Sequence, residues 1–168
     1  MDIRYPFILM AAAHLLTACS HNQGISADES LTGFDDPLKF VQWIYELPNP
    51  RFMIFEDGRM RPHYYTKRLV QLTAGRERCY KEEFHMDWLD LNYIVPGNDY
   101  EIKNLRIEEL WQEGDMAKIL VMFENFGEKQ RLEYLLRREN ASWMIDDIFT
   151  ERASLSRDLS QWCADGAK

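Results

Sequence analysis

The first apolar run of the chain, Phe7 to Leu16, is about ten residues long and is broken only by His14. That length suits the apolar region of a signal peptide and falls short of the roughly 20 residues a membrane-spanning helix requires. Residues 20–33, SHNQGISADESLTG, follow with few large apolar groups and predict a flexible tether. Helical periodicity then begins in FDDPLKFVQWIYELPNP. Asp36 is placed to act as N-cap and Pro37 as first helical residue, with Phe34, Leu38, Val41 and Tyr45 on one face and Pro48 and Pro50 as the stop. A second helix is predicted from about Pro62, where Tyr65, Leu69 and Leu72 follow helical spacing, to Gly75 or somewhat beyond. Residues 76–99 predict a helical turn around Tyr80 to Phe84, then an aromatic-rich connection to a Pro96-Gly97 turn.

From residue 100 the period changes to two. EIKNLRIEELW, MAKILVMFENF, RLEYLLRRE and SWMIDDIFTE read as four strands, separated by turn signals at Glu113-Gly114-Asp115, Gly127 and Asn140. Connections this short make antiparallel hairpins and a curled meander. A last amphipathic helix starts at Ser154, with Leu155, Leu159 and Trp162 at helical spacing. The fold class predicted is α+β: two N-terminal helices on a curved four-stranded antiparallel sheet, with a short C-terminal helix.

The end of the first apolar run carries a more specific signal. Leu16-Thr17-Ala18-Cys19 matches the bacterial lipobox, and the segment resembles the signal of bacterial lipoproteins. The resemblance implies cleavage after Ala18 and lipidation of Cys19, whose acyl chains would anchor the chain to a membrane at about 0.8 kcal/mol per buried methylene. Ser20, where inner-membrane retention uses aspartate, implies the periplasmic face of the outer membrane. The domain organisation expected is a signal peptide over 1–18, a lipidated cysteine and tether over 19–33, and one α+β periplasmic domain over 34–168.

Charge and cysteine usage narrow the classes further. Losing residues 1–18 removes one acid, Asp2, and one base, Arg4, so the net charge stays at −8. An acidic surface argues against nucleic acid and against adsorption to anionic lipid, and suits a basic protein partner. With Cys19 lipidated, Cys79 and Cys163 form an even pair in an oxidising compartment. A disulfide between them would close a loop of about 84 residues and contribute on the order of 4 kcal/mol; two separate buried thiols are the alternative.

The two helices, the meander and the last strand Trp143-Met144-Ile145-Asp146-Asp147-Ile148 resemble the nuclear transport factor 2-like superfamily, a cone-shaped α+β fold. The lipobox, W-x-I-D-D-I and the Leu-rich terminal helix together resemble small Gram-negative envelope lipoproteins of the YbjP-like kind. That family implies fold and location and no agreed activity. The superfamily scaffold carries isomerases, dehydratases and pure interaction domains alike, so chemistry has to come from residues.

Strict alternation in the last strand puts Trp143, Ile145, Asp147 and Phe149 on one face and Met144, Asp146 and Ile148 on the other. One carboxylate then faces the interior. The resemblance implies a pocket there, with Asp146, Asp147 and Trp143 as its candidates and an aspartate as general base. The structural alternative is that the aspartates pair with Arg137 or Arg138, or accept backbone N–H groups near the final helix. His85 and Asp87 with Glu82 have the spacing for a divalent metal on a helix, but a solvated acidic helix face is the simpler reading of them. His63, beside Tyr64 and Tyr65, is a further acid–base candidate or a surface residue. There is no Gly-x-Ser-x-Gly elbow, Cys/His pair, glycine-rich phosphate loop or Cys-x-x-Cys. No catalytic residue, metal or cofactor is therefore assigned.

Tyr64, Tyr65, Tyr80, Trp88, Tyr93 and Tyr100 crowd the helix-to-sheet connection. Such density predicts either an interface, with Tyr64, Tyr65, Trp88 and Tyr93 as anchors, or the lining of the core. The function expected is a non-catalytic lipoprotein that binds another envelope protein, as an accessory or immunity-like subunit. A small-molecule-binding or proton-transfer cone using Asp147 or Asp146 is the rival.

Overall fold

The computed structural model describes residues 33–50, 58, 59, 61–80, 93–95 and 99–165, without the side chains of 76–80 and 162–165. Helix α1, Pro37–Glu46, starts as its sequence predicts: the Asp36 carboxylate accepts from Lys39 N at 3.0 Å, and Pro37 holds the first turn. Its buried stripe is Pro37, Phe40, Val41 and Ile44, rotated from the expected Phe34, Leu38, Val41 and Tyr45. Phe34 precedes the helix and packs its ring on Phe40 and Trp43, so it follows no helical period.

The second predicted helix is two. α2, Arg61–Tyr64, is one turn, and α3 runs Lys67–Tyr80, through Gly75. Tyr65 and Thr66 break the run because Tyr65 forms a parallel bridge with Ile145 and Thr66 N donates to Ile145 O at 2.9 Å. An edge-strand contact has overridden local helical spacing there.

The four strands are β1, Ile102–Glu113; β2, Met116–Asn125; β3, Glu128–Glu139; and β4, Ser142–Phe149. They form an open antiparallel sheet in sequence order. Each link is a two-residue turn. Phe126 and Gly127, and likewise Asn140 and Ala141, have positive φ at both positions, the geometry that matches the twist of adjoining strands. Gly114, at φ 55°, opens the first turn.

One face of the sheet builds the core. Ala117, Ile119, Val121 and Phe123 from β2, Leu132, Tyr134 and Leu136 from β3, and Trp143, Ile145 and Ile148 from β4 meet Phe40, Val41 and Ile44 of α1 and Leu69 of α3. Each of the larger side chains contributes on the order of 1.5–3 kcal/mol by leaving water. α4, Leu155–Asp165, adds Leu155 and Leu159 and packs against α3 and β4. The free edge of β4 is covered by chain: Trp143 N donates to Phe34 O at 2.8 Å, and Phe34 N donates to Ser142 Oγ at 2.9 Å. Gly33 enters this strap so closely that a Cβ there would lie 2.8 Å from Ser142 Cβ.

Candidate functional site

The two adjacent aspartates of β4 come first. Leu135 pairs with Asp147 and Leu136 with Ile145, so Asp146 is the extra residue of a β-bulge. The bulge resets the strand's phase, and Ile145 and Ile148 both enter the core that strict alternation had divided. Both carboxylates are nearly fully buried.

Asp146 holds the start of α3. Its Oδ1 accepts from Thr66 Oγ1 at 2.8 Å and Arg68 Nε at 3.2 Å, and its Oδ2 from Arg68 Nη2 at 3.1 Å, with Arg137 Nε at 3.9 Å. Thr66 Oγ1 in turn accepts from Leu69 N, capping the helix. Asp147 holds the start of α4. Its Oδ1 accepts from Ile148 N at 2.8 Å and Ser156 N at 2.9 Å; its Oδ2 accepts from Ser154 Oγ at 2.8 Å and Ser156 Oγ at 2.6 Å. Protein donors occupy every carboxylate oxygen. A general base needs an oxygen that can reach a substrate proton, and here the arrangement serves two helix N-termini instead. Trp143 lies in the core with its indole N–H donating to Asp35 O at 3.1 Å. The expected pocket of Asp146, Asp147 and Trp143 is thus filled by its own structure.

Tyr64, Tyr65 and Tyr93 are core residues, at most 2% exposed, which removes them as interface anchors. Tyr64 stacks on Phe40 and Trp43, and Tyr93 donates to Asp158 Oδ2 of α4. Trp88, with Glu82, His85 and Asp87, lies outside the described residues, as do Cys19 and the side chains of Cys79 and Cys163. The helices carrying those last two cysteines, α3 and α4, pack on one another. His63 sits exposed on α2, and no metal-binding group of three or more side chains occurs among the described residues.

The core side of the sheet holds a set of phenols that periodicity did not single out. Tyr45 donates to Ile94 O at 2.9 Å and accepts from Tyr134 at 3.0 Å. Tyr65 Oη is buried and has no hydrogen-bond partner among the described residues. Burial pushes all three phenols well above the ordinary value of 10.0. A buried hydroxyl without a partner costs about 1–3 kcal/mol. Tyr65→Phe is therefore expected to raise stability by about 1 kcal/mol at neutral pH, read as a shift of the urea midpoint at constant slope.

A separate cavity of about 460 Å³ opens at the far end of the sheet, lined by Tyr93, Arg131, Leu132, Thr150 and Arg152 among others. Neither Asp146 nor Asp147 reaches it. Its wall mixes cations with Glu128 and Glu151, and no set of groups there converges on one reacting atom.

The outer face of the sheet is half-buried over β2 and β3 and exposed along β1. Cross-strand partners share a face, so Trp111, Lys118 and Leu135 form one row, Arg106, Met122 and Arg131 a second, and Glu108, Leu120, Glu133 and Phe149 a third. Lys118 bonds Glu133 at 2.8 Å and lies 5.3 Å over the Phe149 ring. The hydrogen bond from Lys118, with help from Arg131, holds the Glu133 carboxyl below its usual 4.5. At the margin, Leu105, Leu110 and Trp111 of β1 are 39%, 44% and 41% exposed.

No family model matches the chain, and no curated protein matches it. One solved structure aligns with it, a phospholipid-binding protein from Ralstonia solanacearum in complex with a phospholipid. That protein is 16% identical; the alignment covers 74% of this chain and 79% of the other, at a TM-score of 0.38. So distant a likeness carries no ligand from one chain to the other.

Sequence reading reached Asp146, Asp147 and their alternative partners, Arg137 and the backbone of the final helix. Arg68 was not signalled, because nothing in a single sequence shows that α3 begins against β4. Arg106 and Trp111 of β1 and Met122 of β2 are residue types enriched at interfaces, but the register shifts of β1 hide from simple alternation that they share a face.

Proposed function

We propose that the chain is a non-catalytic lipoprotein, anchored through Cys19 to the periplasmic face of the outer membrane, that binds another envelope protein through the outer face of its sheet. The observation that carries this reading is the outer face itself. Trp111, Phe149, Met122, Arg106 and Arg131 are the residue types that anchor protein interfaces, and the three-residue margin of β1 keeps apolar side chains in water. The charged rows between them suit a polar protein partner better than an apolar lipid surface. The saturation of Asp146 and Asp147 by structural donors also favours binding over proton transfer. The lipobox and the W-x-I-D-D-I strand, by their resemblance to YbjP-like envelope lipoproteins, supply the location. A Cys79–Cys163 disulfide joining the mutually packed α3 and α4 belongs to the same proposal.

The test is in-cell crosslinking of the tagged full chain, with mass spectrometry of what is retained. A single stoichiometric envelope protein is expected, reduced at least tenfold by Trp111→Ala, with the wild-type protein in the membrane fraction and Cys19→Ala released from it. Non-reducing electrophoresis of the same preparation should show faster migration than after reduction. An anchored, folded protein that retains nothing specific would overturn the binding reading.

A further inference from the structure

A sheet normally protects its edges, and among the described residues only the β4 edge of this one is covered. β4 is covered by Phe34, Tyr65 and Thr66, whereas β1 has no strand or strap on its outer edge among the described residues. β1 is also long, twelve residues, and almost wholly exposed. An edge of this kind presents unpaired N–H and C=O groups to any strand of suitable register.

The charges on β1 select that strand. Lys103 and Arg106 lie in its first half, and Glu108, Glu109 and Glu113 in its second. Arg106, Glu108 and Glu109 have no ion-pair partner among the described residues. A chain whose one half is basic and other half acidic is complementary to itself when antiparallel. We propose that the occupant of the β1 edge is the β1 strand of a second copy, paired about a two-fold axis through Ile107 perpendicular to the sheet. This goes beyond the binding reading above and stands or falls separately from it.

That axis sets Arg106 opposite the second copy's Glu108, and by symmetry Glu108 opposite its Arg106. It sets Ile107 against Ile107, and Leu105 against Glu109. Moving the centre by one residue either way puts Arg106 on Arg106 or Glu108 on Glu108, and like charges directly opposite are destabilising. The segment Arg106–Glu109 is the longest in unbroken register with β2, running from Met122 to Ile119. Register shifts flank it between Lys103 and Arg106 and between Glu109 and Trp111, with Asn104 at φ 54°. The shifts limit pairing to a short central ladder. Because the β4 edge is covered, association stops at two copies, the closed outcome of an isologous contact. A perpendicular axis also keeps each face on its own side, so the outer faces of both copies join into one surface for the envelope partner. Lipid anchoring would confine the copies to one surface and raise their effective concentration.

The test is sedimentation equilibrium of the full lipidated chain in detergent, for wild type, Arg106→Glu, Glu108→Arg and the double variant. The two side chains are exposed, so all four proteins should melt alike at concentrations low enough to hold each as a monomer. A wild-type dimer is expected, with each single reversal raising the dimer Kd by roughly tenfold or more and the double reversal returning it to near the wild-type value. A wild-type protein that is monomeric throughout, single reversals without effect, or a double variant weaker than both singles would each overturn the proposal. A monomer that still captures another envelope protein sinks the self-pairing and leaves the binding reading standing; a dimer that captures none does the reverse.

Discussion

Replacing Asp147 with alanine is expected to lower stability by about 3–4 kcal/mol, read as a fall in the urea midpoint with little change in slope. The carboxylate accepts four hydrogen bonds, from Ile148 N, Ser156 N, Ser154 Oγ and Ser156 Oγ, at 2.6–2.9 Å. Bonds to an ionised acceptor contribute about 1.5–3 kcal/mol each, and their sum is reduced because the freed hydroxyls can turn elsewhere. The N–H groups cannot turn. They belong to the strand end and to the first turn of α4, so the helix start loosens with them. Asp147→Asn should lose less, since one oxygen remains an acceptor for the two N–H groups. A variant that keeps the wild-type midpoint while a catalytic activity disappears would reverse the assignment and restore the general-base reading.

The second large effect is alkaline. Tyr45, Tyr65 and Tyr134 are held neutral in the folded protein by burial, well above their ordinary 10.0. In the unfolded chain each phenol releases its proton near pH 10. The folded state therefore binds protons that the unfolded state has lost, and stability is complete below pH 10 and falls as pH rises beyond it. At pH 11 each phenol costs about 1.4 kcal/mol, or about 4 kcal/mol for the three. That is a large share of the 5–15 kcal/mol typical of a domain. Urea midpoints measured from pH 8 to 11.5 should be flat at first and then drop steeply. The drop should be shallower in Tyr65→Phe by one phenol's share, and a flat profile to pH 11.5 would show that these hydroxyls reach water.

Most of the architecture was legible in the sequence because it is local. Asp36-Pro37 announces α1, and Gly114, Gly127 and Asn140 announce three turns that leave the strands no other partners than their neighbours. What escaped was decided by contacts between distant residues. The break at Tyr65 comes from Ile145, eighty positions away, and the rotated stripe of α1 follows from where the sheet lies. The bulge at Asp146 is likewise invisible to alternation, since it exists to aim two neighbouring carboxylates at two different helices. Aromatic density between residues 64 and 100 fits an interface or a core alike; burial of Tyr64, Tyr65 and Tyr93 decides for core at those positions. Among the described residues the exposed aromatics are Trp111, in a strand rich in polar residues, and Phe126, in the β2–β3 turn.

The strap across β4 has a consequence in time. Phe34 and Ser142 are 108 positions apart, whereas each hairpin turn spans two residues between paired strands. Closing the long loop costs more chain entropy than closing any hairpin, so the meander can assemble on its own while the strap has to wait. A chain made from its N-terminus onward thus carries the cover for β4 more than a hundred residues before β4 exists. The ring contacts among Phe34, Phe40 and Trp43, joined by Tyr64, lie within the first part of the chain and can form an apolar knot before β4 is made.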